Sequence, residues 1–152
     1  MWLVFVRFTN RRVANVQDEI LSLLENLAAA EYYHEFLREN GTKDFLFIRP
    51  SGNPIDADGF KKMTLCGDVI DNYSEIIDIE KLEFLSDTSA MCVFIMRENF
   101  EYKGIKNDDV AIYTSILKKI KNQWMFSFIH RSSGEVDMSL WNRLKQSMKK
   151  GI

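Results

Sequence analysis

Hydrophobic and polar side chains alternate along three segments in the second half of the chain. Residues 124–131 alternate strictly, which is the spacing of a strand, and residues 110–120 and 88–100 are similar runs. One side of the 124–131 strand would carry Trp124, Phe126, Phe128 and His130. A sheet built from these segments has apolar side chains on both faces, so both faces must be covered.

The first part of the chain has helical spacing instead. Apolar residues at intervals of three and four predict an amphipathic helix over residues 12–30, and residues 31–40 repeat this pattern. Asn40-Gly41 is a typical helix end. The pattern leaves open whether the two segments form one bent helix or two separate helices.

Further segments complete the order of elements. Residues 44–49 predict a short strand, Asp56 or Asp58 can cap a third helix, and residues 73–85 predict a strand with a bulge. A last amphipathic helix is predicted over residues 137–150. Helices ahead of four long antiparallel strands indicate an α+β fold with the helices stacked on one face of a curved sheet.

Length and charge restrict the classes of function. The 152 residues fit a single domain over 1–152, in which residues 1–10 form an extra strand or an arm. The net charge of −2 gives no basic surface for nucleic acid. No apolar run reaches the ~18 residues of a membrane span, and the start lacks the features of a secretory signal. We therefore expect neither a nucleic-acid nor a membrane partner.

Cysteine and histidine usage gives further expectations. Cys66 and Cys92 are far apart and have no CxxC spacing, so we expect buried free thiols in a reducing, cytoplasmic location. Two histidines and no Cys/His cluster do not support a structural zinc site. We predict that the chain holds no metal and no cofactor.

Three segments carry a resemblance to a known superfamily. Residues 44–52 form a short strand and turn, residues 92–97 form a strand that ends in arginine, and residues 124–134 contain His130-Arg131-Ser132. They resemble parts of the nuclear transport factor 2-like (cystatin-like, SnoaL-like) proteins, and the last also resembles the calcium/calmodulin-dependent kinase association domain. The resemblance covers residues 13–134. It implies a cone-shaped antiparallel sheet wrapped around the N-terminal helices, with a cavity between them.

The resemblance also assigns the two faces of the sheet. In the association domain, arginines at positions matching Arg97 and Arg131 face the cavity, and a third matching position is Ser115 here. The implied ligand-binding residues are Arg97, Arg131, Tyr113, Ser115, Arg49 and Tyr33. The other face would be too apolar for water, which implies a homodimer through the sheet. Its interface residues would be Phe94, Met96, Ile112, Phe126, Phe128 and His130.

The predicted function is binding of a small acidic or polar–apolar ligand, such as a carboxylate, in an arginine-containing cavity. In the alternative interpretation, an internal acid such as Asp44, Asp56 or Glu98 forms a structural salt bridge with the buried arginines. The first alternative function is an isomerase, dehydratase or hydrolase, which needs a general base.

The residues offer few candidates for that base. Arg49 stands where the steroid-isomerase branch has an acidic base, and a guanidinium cannot abstract a proton at neutral pH. The remaining candidates are Tyr113, His34 and Asp56. A second alternative is a module that only dimerises or assembles.

Overall fold

The chain folds into four helices and six strands. The computed structural model describes the backbone of residues 2–150 and the side chains of residues 15–150. The helices are α1 (Trp2–Ala29), α2 (Tyr33–Asn40), α3 (Ala57–Leu65) and α4 (Met138–Lys150). The strands are β1 (Gly41–Ile48), β2 (Pro54–Ile55), β3 (Val69–Ser86), β4 (Ser89–Tyr102), β5 (Ile105–Ile120) and β6 (Gln123–Arg131). This order agrees with the predicted one except for the two-residue strand β2, which was not predicted.

The helical half follows its sequence signals. The first two predicted segments are separate helices, since Ala30 leaves α1 and α2 begins at Tyr33. Asp56 caps α3, as predicted, because its carboxylate accepts a 2.8 Å hydrogen bond from the Gly59 amide. The expected extra strand or arm over residues 1–10 was wrong, because the backbone from Trp2 onward is the first part of α1.

The six strands form one curved sheet in the order β2-β1-β6-β5-β4-β3. Strand β1 runs parallel to β6, and every other neighbouring pair is antiparallel. The predicted bulge in β3 is confirmed, and the β3–β4 pairing contains four register shifts. Helix α1 packs against β3 and β6, so the N-terminal helices cover one face, here called the inner face. The α+β fold with a curved sheet around the helices is therefore confirmed.

The turn between β4 and β5 decides which side chains of these strands face the helices. Lys103 and Gly104 both have positive φ, of 48° and 80°, and form a two-residue hairpin turn. Tyr102 is therefore opposite Ile105, and the same register places Phe94 opposite Tyr113. Directly opposite residues share a face of the sheet. Even-numbered residues of β4 thus share the inner face with odd-numbered residues of β5.

This register corrects part of the predicted dimer interface. Phe94 and Met96, expected on the outer face, are 0% and 2% exposed and belong to the core under the helices. The prediction was wrong because the faces were assigned from the resemblance, which placed Arg97 in the cavity, and not from the turn that sets the β4–β5 register. Phe126 also faces inward, at 0% exposure, because the β5–β6 register shifts between Phe128 and Phe126.

The outer face is partly covered by the last helix. Lys145 of α4 donates to the carboxylates of Asp78 at 2.7 Å and Glu80 at 3.2 Å, both on β3. Ile95, directly opposite Asp78, is fully buried although it lies on the outer face. Ile112, Phe128 and His130 also lie on this face, where the prediction had placed them.

Two further expectations concern cysteines and membranes. Both cysteines are free thiols, but only Cys92 is buried, and Cys66 at the end of α3 is exposed. The expectation of two buried thiols was therefore wrong for Cys66. None of the helices in the described part of the chain is long and apolar enough to cross a membrane.

We predict that Phe94→Ala lowers the free energy of unfolding by about 3–5 kcal/mol, because the substitution leaves a cavity in a fully packed core. Urea denaturation measures this change. Leu65→Ala is the control, since Leu65 is 72% exposed and its truncation should stay within about 0.5 kcal/mol. Equal losses for both variants would contradict the assignment of Phe94 to the inner face.

Candidate functional site

A cavity of about 400 Å³ opens between the helices and the inner face of the sheet, near the β4–β5 turn. Helices α1, α2 and α3 each contribute to its wall, which is mainly apolar. The apolar lining residues include Leu27, Leu37, Phe47, Phe60, Met63, Met96, Phe100 and Ile129. Phe47 and Phe60 meet edge to face with ring centroids 5.0 Å apart, which joins strand β1 to helix α3.

Four polar side chains from three adjacent strands form the polar end of this cavity. Glu98 lies on β4, Asp109 and Tyr113 on β5, and Arg131 at the end of β6. The pairing explains why they meet, since Glu98 is directly opposite Asp109 and Tyr113 is directly opposite Arg131. All four therefore share the inner face.

Arg131 is a buried cation that the chain itself neutralises. Its side chain is 9% exposed, and Nη2 donates to Asp109 Oδ2 at 2.7 Å. Nε lies 3.5 Å from Glu98 Oε2, close enough for an ion pair but without a hydrogen bond. The guanidinium also lies over the Phe100 ring, 5.7 Å from its centroid. The internal salt bridge considered from the sequence is therefore present, with Glu98 as one partner.

The carboxyl groups of this end differ from ordinary surface acids. Burial raises the pKa of Glu98 above its usual range, more than Tyr113 and Arg131 lower it, and repulsion from Asp71 and Asp109 adds to the increase. Burial also raises the pKa of Asp71, which lines the same cavity from β3. The protonated forms of both groups are thus favoured by the folded structure.

Two tyrosines face the cavity from opposite sides. Tyr113 on β5 is 1% exposed, and among the described residues its hydroxyl lies beside the Glu98 carboxyl without meeting the geometry of a hydrogen bond. The hydroxyl groups of Tyr33 on α2 and Ser74 on β3 lie 2.5 Å apart. Burial raises the pKa of both tyrosines, so both remain protonated hydroxyls at neutral pH. Tyr113 is therefore not a base at that pH.

Arg49 lies at the rim of the cavity rather than at its polar end. Its Nε donates to the Asn53 carbonyl at 3.1 Å, and Nη1 lies 3.9 Å from the Met63 sulfur. The first contact closes the turn after β1, and the second ties this turn to α3. Arg49 thus lines the cavity, as the sequence predicted, but it holds the rim in place.

Two of the predicted ligand-binding residues are not in the cavity. Arg97 lies on the outer face opposite Val110, and its exposed guanidinium forms two hydrogen bonds with Asp108, at 2.8 and 2.7 Å. Ser115 is on the inner face but fully buried beneath the helices, where its hydroxyl donates to the Cys92 carbonyl at 3.2 Å. Both predictions fail for structural reasons: the hairpin register turns Arg97 outward, and packing encloses Ser115.

The acids and bases suggested by the sequence are distributed differently. His34 does not line the cavity, Asp56 is occupied as a helix cap, and the exposed Asp44 accepts a hydrogen bond from Thr42. Asp71 and Asp109, which do line the cavity, were missed. Asp109 could have been found by continuing the β5 alternation back from Tyr113 to residue 109.

The carboxyl groups of the cavity are not arranged around a common point. Among the residues that the structure describes, no group of three or more His, Cys, Asp or Glu side chains is placed to hold a metal ion. The polar end is therefore a set of separate hydrogen-bonding groups on an otherwise apolar wall.

Comparisons with known proteins agree with this architecture. Residues 15–142 match a family model described as a protein of unknown function (DUF3804). An NTF2-like protein of unknown function from Prochlorococcus marinus is 48% identical, with a TM-score of 0.76 over 82% of this chain and 98% of that one. No curated protein matches the chain.

Two more distant structures show the likeness in fold alone. A candidate calcium/calmodulin-dependent kinase II association domain from Exiguobacterium sibiricum has 16% identity and a TM-score of 0.67, over 80% of this chain and 95% of that one. A candidate scytalone dehydratase from Novosphingobium aromaticivorans has 17% identity and a TM-score of 0.62, over 81% and 86%. The resemblance to NTF2-like and cystatin-like proteins is thereby confirmed.

We predict that Arg131→Met lowers the free energy of unfolding at pH 7 by about 3–5 kcal/mol, because it leaves buried carboxylates without their cation. The loss should shrink at low pH, where the carboxyl groups are protonated. Urea denaturation at several pH values measures both effects. Arg97→Met is the control, and its exposed ion pair should contribute little; a larger loss for Arg97→Met would contradict these assignments.

We predict a pH-dependent difference between the wild type and Glu98→Gln. The pKa of Glu98 is raised in the folded state, so its stabilising contribution is complete below the unfolded pKa and is lost as pH rises through the folded value. The wild-type unfolding free energy minus that of Glu98→Gln should therefore be constant in acid and then fall with rising pH.

Asp108→Asn provides a control of opposite sign for that pH series. Its partner Arg97 lowers the pKa of Asp108, so the contribution of this carboxylate is lost as pH falls. Chemical denaturation at each pH gives both difference curves. Parallel curves for the two variants would show that Glu98 is not held in a desolvated site.

Proposed function

The chain belongs to the DUF3804 family of NTF2-like proteins, and we propose that it is a small-molecule-binding domain whose ligand combines an apolar body with one polar group. The cavity of about 400 Å³ is within the range of about 300–1,000 Å³ that is usual for ligand sites. Its wall is mostly apolar and aromatic, with polar groups concentrated at one end. This distribution is typical of sites that enclose a small organic molecule.

One observation carries the proposal: two buried polar atoms at the polar end meet the geometry of a hydrogen bond with none of the described residues. They are the Tyr113 hydroxyl and Arg131 Nε. Buried polar groups are nearly always satisfied, because an unpaired group costs about 1–3 kcal/mol. A ligand group that bonds to the Tyr113 hydroxyl would offset this cost while its apolar body covers the aromatic wall.

The charge of Arg131 does not favour an acidic ligand. The predicted carboxylate site needed two arginines, but Arg97 lies on the outer face and Arg131 is already paired with Asp109 and Glu98. An entering carboxylate would meet two acids beside one guanidinium. Of the two predicted ligand classes, the polar–apolar one therefore fits the geometry better.

We predict that a fragment screen by thermal shift finds ligands of this class. A ligand present at about a hundredfold its Kd stabilises the protein by about 2.7 kcal/mol, and this should raise Tm by about 5–10 °C for a chain of this size. Met63→Trp, which places a bulky ring in the wall of the cavity, should remove the shift.

Arg97→Met is the matched control for this screen, because it changes a cation of the outer face and should keep the full shift. Two results would contradict the proposal. One is a complete absence of ligands, and the other is a shift that survives Met63→Trp but is lost in Arg97→Met.

A second candidate function is acid–base catalysis in the same cavity. The observation that favours it is the carboxyl group of Glu98, whose pKa is raised by burial next to Tyr113. Glu98 would then be the proton donor or acceptor, in place of Tyr113, His34 or Asp56. Glu98→Gln separates the two functions: a catalyst would retain substrate binding and lose turnover.

We also propose that the outer face pairs with a second copy of the chain. Lys145 of α4 bonds to Asp78 at one side of this face, whereas the other side carries Phe128 and His130 next to Leu46, which is 39% exposed. Exposed apolar area on a rigid sheet suits a two-fold symmetric contact. Ile112, Phe128 and His130 remain the candidate interface residues.

We predict that the wild type has twice the mass of one chain by size-exclusion chromatography with light scattering, and that Phe128→Asp converts it to a monomer. A charge at the centre of an apolar contact is left unpaired and desolvated. Ile105→Asp, at the exposed β4–β5 turn, should leave the mass unchanged. A monomeric wild type at micromolar concentration would overturn this proposal.

A further inference from the structure

We infer that the ligand of the cavity carries a positively charged amine, an inference that rests on the proposed function and specifies the ligand class. The acidic groups that line the cavity are Asp71, Glu98 and Asp109, and the basic groups are Arg131 and Arg49. Arg49 is bound at the rim to the Asn53 carbonyl, so among the described residues Arg131 is the one cation that pairs with acids of the cavity. Three acids facing one cation leave room for a second cation.

Aromatic side chains supply a second reason. Six of them line the cavity: Tyr33, Phe47, Phe60, Phe100, Tyr102 and Tyr113. A cation within about 6 Å of an aromatic face is attracted by the ring quadrupole, and the attraction is strongest where water is excluded. Arg131 over the Phe100 ring shows that this wall already accommodates one such contact. Acids combined with aromatic faces form the usual environment for ammonium groups.

The Tyr113 hydroxyl gives an independent indication of a ligand. Its side chain is 1% exposed and lines the cavity, and among the described residues its hydroxyl lies beside the Glu98 carboxyl without meeting the geometry of a hydrogen bond. A tyrosine hydroxyl oxygen can accept a hydrogen bond from an ammonium N–H. An amine that bonds to both Tyr113 and Glu98 would therefore satisfy one buried hydroxyl and one buried carboxylate together, which a carboxylate ligand could not do.

Amine binding should be coupled to the protonation of the carboxyl groups in the cavity. Burial raises the pKa of Glu98 and of Asp71, so these carboxyl groups hold protons more firmly than surface acids do. A bound ammonium favours their ionised forms and displaces a proton. Binding should therefore release protons, and the affinity for an amine should increase with pH until both carboxyl groups are already ionised in the free protein.

The test uses three probes that share one apolar body: phenethylamine, phenethyl alcohol and 3-phenylpropanoate, extended to cyclohexyl and alkyl analogues of each. Titration calorimetry on the full chain at pH 7.5 should show the amines binding about 10-fold or more tighter than the alcohols, with the acids weakest. Repeating the titrations in buffers of different ionisation enthalpy should show proton release for the amines only.

Two variants test whether the preference for amines arises in the cavity. Glu98→Gln should reduce amine affinity about 10- to 100-fold and change alcohol affinity by less than about 3-fold. Asp108→Asn is the matched control, since it removes an acid of the outer face, and it should leave the amine affinity unchanged. Circular dichroism confirms that each variant is folded.

The outcomes separate the two proposals. Alcohols or acids binding as tightly as amines, or amine affinity unaffected by Glu98→Gln, would overturn the inference and leave small-molecule binding standing. Binding by none of the probes would overturn the proposed function together with the inference. Tight amine binding with proton release, lost in Glu98→Gln and kept in Asp108→Asn, would support both.

Discussion

The register between β4 and β5 is the constraint on which the rest of the structure depends. Lys103 and Gly104 close the hairpin in two residues, and that turn fixes the position of every side chain along both strands. A shift by one residue would send Phe94 to the outer face and bring Arg97 under the helices. Since the core needs Phe94, Met96 and Tyr113 on one side, hydrophobic burial and turn geometry select the same register.

The polar end of the cavity follows from that register. Glu98 continues the inner row of β4 beyond Met96, and Asp109 precedes Tyr113 on the inner row of β5. The inner face of the sheet thus changes from apolar to charged in the part of the strands that lines the cavity. Arg131 enters from β6 to neutralise part of this charge. A site with a surplus of acids is therefore built by extending the same rows of side chains that form the core.

Much of the fold could be predicted from periodicity because long elements leave strong signals. The helix capped by Asp56, the irregular strand β3 and the order of the elements all agree with the structure. Periodicity could not predict which side chains of neighbouring strands lie on the same face of the sheet. Alternation says which residues share a face within one strand, but relating two strands requires the turn between them, and the short Lys103-Gly104 turn lies within a polar stretch.

Predicting the residues of the candidate site also required the register between neighbouring strands, which the sequence pattern does not give. Of the predicted ligand-binding residues, Arg131, Tyr113, Tyr33 and Arg49 line the cavity, whereas Arg97 and Ser115 do not. The bulge in β6 caused a similar error. Strict alternation predicts that Phe126 lies on the same face as Phe128, whereas the bulge places Phe126 on the inner face. A one-residue bulge cannot be detected from the alternation of polar and apolar residues. It nevertheless reverses the face that is assigned to every residue after it in the strand.

The irregular pairing of β3 also bears on how copies of this chain can meet. β3 and β2 are the outermost strands of the sheet; the first is broken by four register shifts and the second is two residues long. Neither offers a straight row of free amide and carbonyl groups on which a foreign strand could extend the sheet. Edge-to-edge growth into fibres is therefore discouraged by the backbone itself, and stacking of broad surfaces is the geometry of association that this architecture leaves open.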